Sequence, residues 1–137
     1  MDSRMIRAAL CGIVLSWLAG CSAGSAPVPA DPAQRGAQLY GGNCVSCHQA
    51  DGHGIPNVYP PLAGSAVANG AALPLVRWVV LGERPASLAP GRYVTHMPKY
   101  GWMGDADAAA VLTYVRTHFG NASGPMQPAD VAHARGR

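Results

Sequence analysis

The chain has 137 residues, and its 10 Lys and Arg against 7 Asp and Glu give a net charge of +3. No run of Lys or Arg occurs anywhere, which excludes the electrostatic footprint of a nucleic-acid-binding protein. Charged residues make up only 12% of the chain, against 17 Gly and 12 Pro, so long connecting segments dominate and so small a core needs a staple.

Residues 1–20 read as a leader. Arg4 and Arg7 precede the apolar residues 8–18, a stretch too short to span a bilayer and suited to the centre of a signal peptide. Leu18-Ala19-Gly20-Cys21 resembles the bacterial lipobox, in which cleavage before the cysteine leaves a diacylglycerol-modified N-terminus. The expectation is an exported chain, lipidated at Cys21 and held at the periplasmic side of a bacterial membrane. The alternative is an unpaired Cys21 behind conventional cleavage near Ser22-Ala23-Gly24. Cysteine arithmetic favours the lipid, because Cys11 leaves with the leader and Cys44 pairs with Cys47. Removal of residues 1–20 takes away Arg4, Arg7 and Asp2 and leaves a net charge of +2.

Between Cys21 and Pro32 the residues are Ser, Ala, Gly and Pro apart from Val28 and Asp31, the composition of a flexible tether over residues 21–32. Asp31 and Pro32 then supply a cap and first position for a helix over residues 32–41, which Gly41-Gly42 should stop. Residues 49–69 are rich in Gly and Pro without a helical period and read as loop. A second helix is expected over residues 73–81, with Leu75, Val76, Val79 and Val80 on its apolar face and Gly82 as its stop. Residues 83–101 return to loop. The best defined helix covers residues 105–119, with Asp105 and Asp107 in the favourable first turn. Nothing is periodic beyond Pro125, so residues 122–137 read as a loosely ordered tail behind a single domain at residues 33–121. No strand or internal repeat is expected.

Between the first helix and the first loop stands Cys44-Val45-Ser46-Cys47-His48. Two thiols at this spacing can reach two vinyl groups on one edge of a haem while the adjacent histidine turns beneath it to ligate the iron. Two other readings compete. A structural zinc site needs four ligands, and His53, His96, His118 and His133 are scattered without a second ligand pair. A redox-active Cys-x-x-Cys wants a βαβ setting, which the flanking Gly and Pro loops do not offer. One covalent haem c is therefore the expected cofactor. A thioether suits low-spin iron and favours Fe(II), and Met97, stiffened by Pro98, is the candidate for the sixth ligand. His96 is its main rival, while Met103 and Met126 read as packing residues.

With these residues in place, the chain resembles the class I c-type cytochromes, most closely the small cytochrome domains that accompany bacterial membrane-associated dehydrogenases. The resemblance covers residues 35–121. It rests on Gly36 and Tyr40, the Cys44-x-x-Cys47-His48 motif, Gly54-Ile55-Pro56, Tyr59-Pro60-Pro61-Leu62-Ala63-Gly64-Ser65, Met97-Pro98, and Val111-Leu112-Thr113-Tyr114-Val115-Arg116. It implies an all-α class I cytochrome c fold, with three to four short helices and long loops around one haem. It further implies His48 and Met97 as axial iron ligands, Pro60 as the carbonyl that orients His48, and a close crossing of the first and last helices through Gly36, Tyr40, Val111 and Tyr114.

The function expected is one-electron transfer rather than catalysis, the chain acting as a carrier or as a subunit of a dehydrogenase complex. A dehydrogenase would be the donor and an oxidase or another cytochrome the acceptor. The competing class is an open-haem peroxidase or gas sensor with His96 as distal group, and a third is a zinc or disulfide lipoprotein. Low charge suggests docking through an apolar rim at residues 53–56 around Ile55 rather than lysine steering. Trp78 and Trp102 read as core residues before propionate partners through their indole N–H, and Arg77, Arg92 and Lys99 are candidate partners for the haem propionates.

Overall fold

The computed structural model describes residues 30–88, 91–93 and 95–137, so the expected leader, Cys21 and nearly all of the tether lie outside the described residues. Among these residues there are five α-helices and no strand beyond one antiparallel bridge between Ile55 and Tyr59. The all-α expectation holds, with one helix more than the three to four expected.

Helix α1 spans Pro32–Asn43, opened by Asp31, whose carboxylate accepts the Ala33 N–H at 3.1 Å. Gly41-Gly42 does not stop it. Glycine disfavours a helix by roughly 1 kcal/mol per residue, but the last turn is fastened from outside that local preference. Asn43 Nδ2 donates to the Leu39 carbonyl at 2.8 Å, and the Tyr100 hydroxyl donates to the Asn43 carbonyl at 2.8 Å. A single further turn, α2 at Val45–His48, follows directly and carries all of the Cys-x-x-Cys-His motif after Cys44.

Helix α3 spans Ala72–Val76 and continues into a wider π-helical turn at Arg77–Leu81, so the expected helix over residues 73–81 forms in two pitches. Gly82 closes it with a φ of 80°, as a left-handed stop requires. Helix α4 spans Asp105–Thr117. It ends before residue 119 because Phe119 turns back at a φ of 60° to set its ring 5.1 Å from that of Tyr40.

Helices α1 and α4 cross at Gly36. A Cβ there would stand 2.4 Å from the Ala110 carbonyl oxygen, so only glycine lets the backbones approach this closely. Tyr40 and Tyr114 pack beside the crossing with ring centres 5.3 Å apart. Arg35 grips Asp107 through two parallel bonds of 2.8 and 2.7 Å. Val111, buried beside the crossing's Ala110, also lines the cavity described below.

Residues 122–137 are not a loose tail. Pro128–Ala134 forms α5, in which Val131 and Ala134 are buried against the core along with Met126 just before it. Asp130 Oδ2 accepts the Gln127 N–H at 2.8 Å, closing its first turn. Arg116, buried in α4, donates to the carbonyls of Gly124, Ala68 and Gly70. Seven residues with two buried positions give too short a pattern to be periodic, so tertiary packing makes this helix.

Candidate functional site

His48 closes α2, and its ring is buried. Nδ1 lies 2.9 Å from the Pro60 carbonyl oxygen. Burial lowers the imidazole below its ordinary range and outweighs the opposing effect of the Pro60 bond. A neutral ring that donates Nδ1–H to Pro60 leaves the Nε2 lone pair free for a metal.

The loop that delivers Pro60 is built on the histidine itself. The Gly54 N–H donates to the His48 carbonyl at 2.9 Å, and Ile55 and Tyr59 then exchange backbone bonds of 3.0 and 2.8 Å that reverse the chain. Gly54 has a φ of 65°, and a Cβ on it would stand 2.4 Å from the Tyr59 carbonyl oxygen. On the other side of the histidine, Tyr40 donates its hydroxyl to the Gln49 carbonyl at 2.6 Å, where Gln49 takes a φ of 63°. Burial keeps that phenol un-ionised, raising its pKa above the usual range.

Cys44, His48, Pro60 and Met97 all line one cavity with about 630 Å³ unfilled by atoms, part of it open to solvent. Leu62, Leu75, Trp78, Val79, Leu88, Val111, Leu112 and Val115 give it an apolar wall. Both thiols are free and half-buried, and Cys47 lies off the cavity, against the Tyr59 hydroxyl. Burial, then the neighbouring Cys47, pushes the Cys44 thiol up to about 11. A thiol held protonated is a poor thiolate ligand. Among the described residues no group of three or more His, Cys, Asp or Glu is placed to share a metal ion, so the zinc alternative has no ligand set. The donors present fit a haem: a neutral imidazole, a thioether and a thiol at the wall of an apolar hollow that opens to solvent.

The rivals separate. His96 is exposed and does not line the cavity, while Met103 and Met126 are buried in the packed core. Trp78 is on the cavity wall, but Trp102 is 68% exposed and is not a core residue. None of Arg77, Arg92 and Lys99 lines the cavity; Arg77 pairs with Glu83 at 2.6 Å, and Arg92 lies 5.9 Å over the Tyr93 ring.

Several supports were not legible in the sequence. Thr95 Oγ1 donates to the Val58 carbonyl at 2.6 Å, and the Tyr100 N–H donates to the Val79 carbonyl at 2.8 Å, so the backbone is fixed two residues before and three after Met97. Buried Asn121 donates to the Leu62 and Val115 carbonyls and accepts the Gly64 N–H, tying the loop behind Pro60 to the end of α4. A lone Thr or Asn in a loop carries no periodic signal.

A family model described as cytochrome c matches residues 33–119. The chain belongs to the cytochrome c family. This cytochrome is 33% identical over 115 residues to the cytochrome c subunit of an alcohol dehydrogenase (quinone) from Gluconacetobacter polyoxogenes, a match covering 73% of this chain and 22% of that protein. It is 33% identical over 92 residues to cytochrome c-552 of Thermus thermophilus, covering 64% of this chain and 70% of that one. It is 30% identical over 108 residues to the fructose dehydrogenase cytochrome subunit of Gluconobacter japonicus, covering 73% and 22%. The chain thus spans about a fifth of the length of the dehydrogenase subunits it matches. Membership of the family carries with it one covalently bound haem c and a part in electron transfer. Among the described residues no helix is long and apolar enough to cross a membrane.

Proposed function

We propose that the chain is an exported, lipid-tethered monohaem cytochrome on the periplasmic side of a bacterial membrane, taking single electrons from a dehydrogenase and passing them to a respiratory oxidase or a further cytochrome. Cys44 and Cys47 would form the thioether links to the haem, His48 and Met97 would hold its iron, Pro60 orients His48, and Cys21 would bear the lipid. The observation that carries the ligand assignment is the shared cavity, which has the restrained imidazole of His48 and the thioether of Met97 on its walls.

The bound haem supplies a one-electron Fe(III)/Fe(II) couple. The protein does the rest. The Pro60 carbonyl fixes the His48 tautomer and strengthens it as a donor. Met97 as a ligand would favour the reduced state and leave no place for O₂ or peroxide, and the apolar wall would limit the access of water. The tether at Cys21 restricts the carrier to the membrane surface, where collisions with a membrane partner are frequent. The dehydrogenase donor is supported by the relatives' names.

The ferric protein should show the methionine-to-iron charge-transfer band, and the ferrous protein should bind carbon monoxide poorly. Met97→Ala should lose the band and bind carbon monoxide readily; ready binding by the parent would refute the six-coordinate assignment. Cys21→Ser should move the protein from the membrane fraction to the soluble periplasm, and retention would refute the anchor. Ile55, exposed on the loop near the Cys-x-x-Cys-His segment, is the proposed centre of the docking rim. Ile55→Lys should slow electron exchange without changing the spectrum, and equal rates would count against that rim.

A further inference from the structure

The backbone that leads from Met97 into α4 is held by a side chain from the far end of the chain. Arg135, the residue that ends α5, donates Nη1–H to the Gly101 carbonyl at 2.9 Å and Nη2–H to the Met103 carbonyl at 2.6 Å. Its buried Nε lies 3.0 Å from Asp105 Oδ1, a charge contact rather than an aligned hydrogen bond. Arg137 adds two bonds to the same carboxylate at 2.7 and 2.9 Å. One guanidinium therefore reaches every second residue of the segment, at 101, 103 and 105. Its side chain is only 15% exposed, so this is not a solvated surface cation.

We propose that α5 is a strap on the Met97 loop and that Arg135 is a positioning residue for the sixth iron ligand, holding the loop closed over the cavity. This rests on Met97 being that ligand. Thr95 and Tyr100 already fix the backbone on both sides of Met97, but Tyr100 is followed at once by Gly101, and the guanidinium fastens this exit. Both α5 and Arg135 lie beyond residues 33–119, the part matched by the family model. Lysine could not replace the fork, since a single ammonium is a point charge that cannot span two carbonyls and a carboxylate in one plane.

The test uses the haem-loaded full-length protein and its Arg135→Gln, Arg135→Lys and Arg35→Ala variants. Arg35→Ala removes a comparable charge-assisted grip between α1 and α4 that engages Asp107 and none of residues 95–105. Removing the exposed bond to the Gly101 carbonyl and the part-buried bond to the Met103 carbonyl should raise the population of open loop about tenfold in Arg135→Gln. The association of carbon monoxide with the ferrous protein and the hydrogen exchange of the Tyr100 amide should both accelerate by about that factor. Arg135→Lys should fall between Arg135→Gln and the parent, and Arg35→Ala should match the parent in both readouts. Parent-like rates in Arg135→Gln, or an equal acceleration in Arg35→Ala, would overturn the strap. A parent protein without the methionine charge-transfer band would instead overturn the ligand assignment, and the strap with it.

Discussion

Nδ1 of His48 and the carbonyl oxygen of Pro60 stand 2.9 Å apart, joined across 12 residues of chain by a loop that turns at Gly54. The loop can deliver that carbonyl only while Gly54 has no side chain, because a Cβ would meet the Tyr59 and Pro60 carbonyl oxygens at 2.4 and 2.7 Å. Gly54→Ala should therefore cost about 1–3 kcal/mol of stability in chemical denaturation. It should also weaken the His48–Pro60 bond. A less basic imidazole stabilises Fe(III) less, so the reduction potential should rise. Parent-like stability and potential together would show that the loop does not orient the histidine.

The core includes α5, and Val131 within it is fully buried. Val131→Ala deletes two methyl groups from a packed site and should cost about 2 kcal/mol. Urea unfolding of the haem-loaded protein measures it. A change near zero would return residues 122–137 to the loose tail that the sequence suggests.

What the sequence reveals depends on how local each cause is. The cap of α1, the acidic first turn of α4 and the Gly82 stop are legible because Asp31-Pro32, Asp105 with Asp107, and Gly82 act within one turn of themselves. The Cys44-x-x-Cys47-His48 motif stands out in the sequence as the proposed haem attachment because that chemistry requires a fixed spacing. The run of α1 through Gly41-Gly42 depends on Tyr100, 57 residues away. The burial of Arg116 depends on carbonyls at residues 68, 70 and 124. Trp102 reads as core by residue type, yet it stands exposed, since nothing in its local sequence says which side of the loop it occupies. Helix α5 combines both failures, being short in sequence and held by distant partners.

The Arg35–Asp107 pair gives a prediction with a defined pH window. Its hydrogen bond to Arg35 holds the Asp107 carboxyl below its ordinary value of 3.8. A carboxylate with a depressed folded pKa stabilises the fold above its unfolded pKa, and loses that contribution as pH falls through the folded value. Asp107→Asn should thus be less stable than the parent by a constant margin from neutrality down to about pH 4, and the margin should shrink below that. The side chains are partly exposed, so salt should also reduce the margin. Denaturant midpoints across the pH series test this, and a margin that grows in acid would contradict it.

The central claim, that this chain passes one electron at a time through an iron held between His48 and Met97, is tested most directly by spectroelectrochemical titration of the matured protein and its Met97→His variant. The parent should give a single reversible one-electron wave, and exchange of the thioether for imidazole should lower its potential, because Met favours Fe(II). An irreversible or multi-electron parent wave, or an unchanged potential in Met97→His, would contradict it.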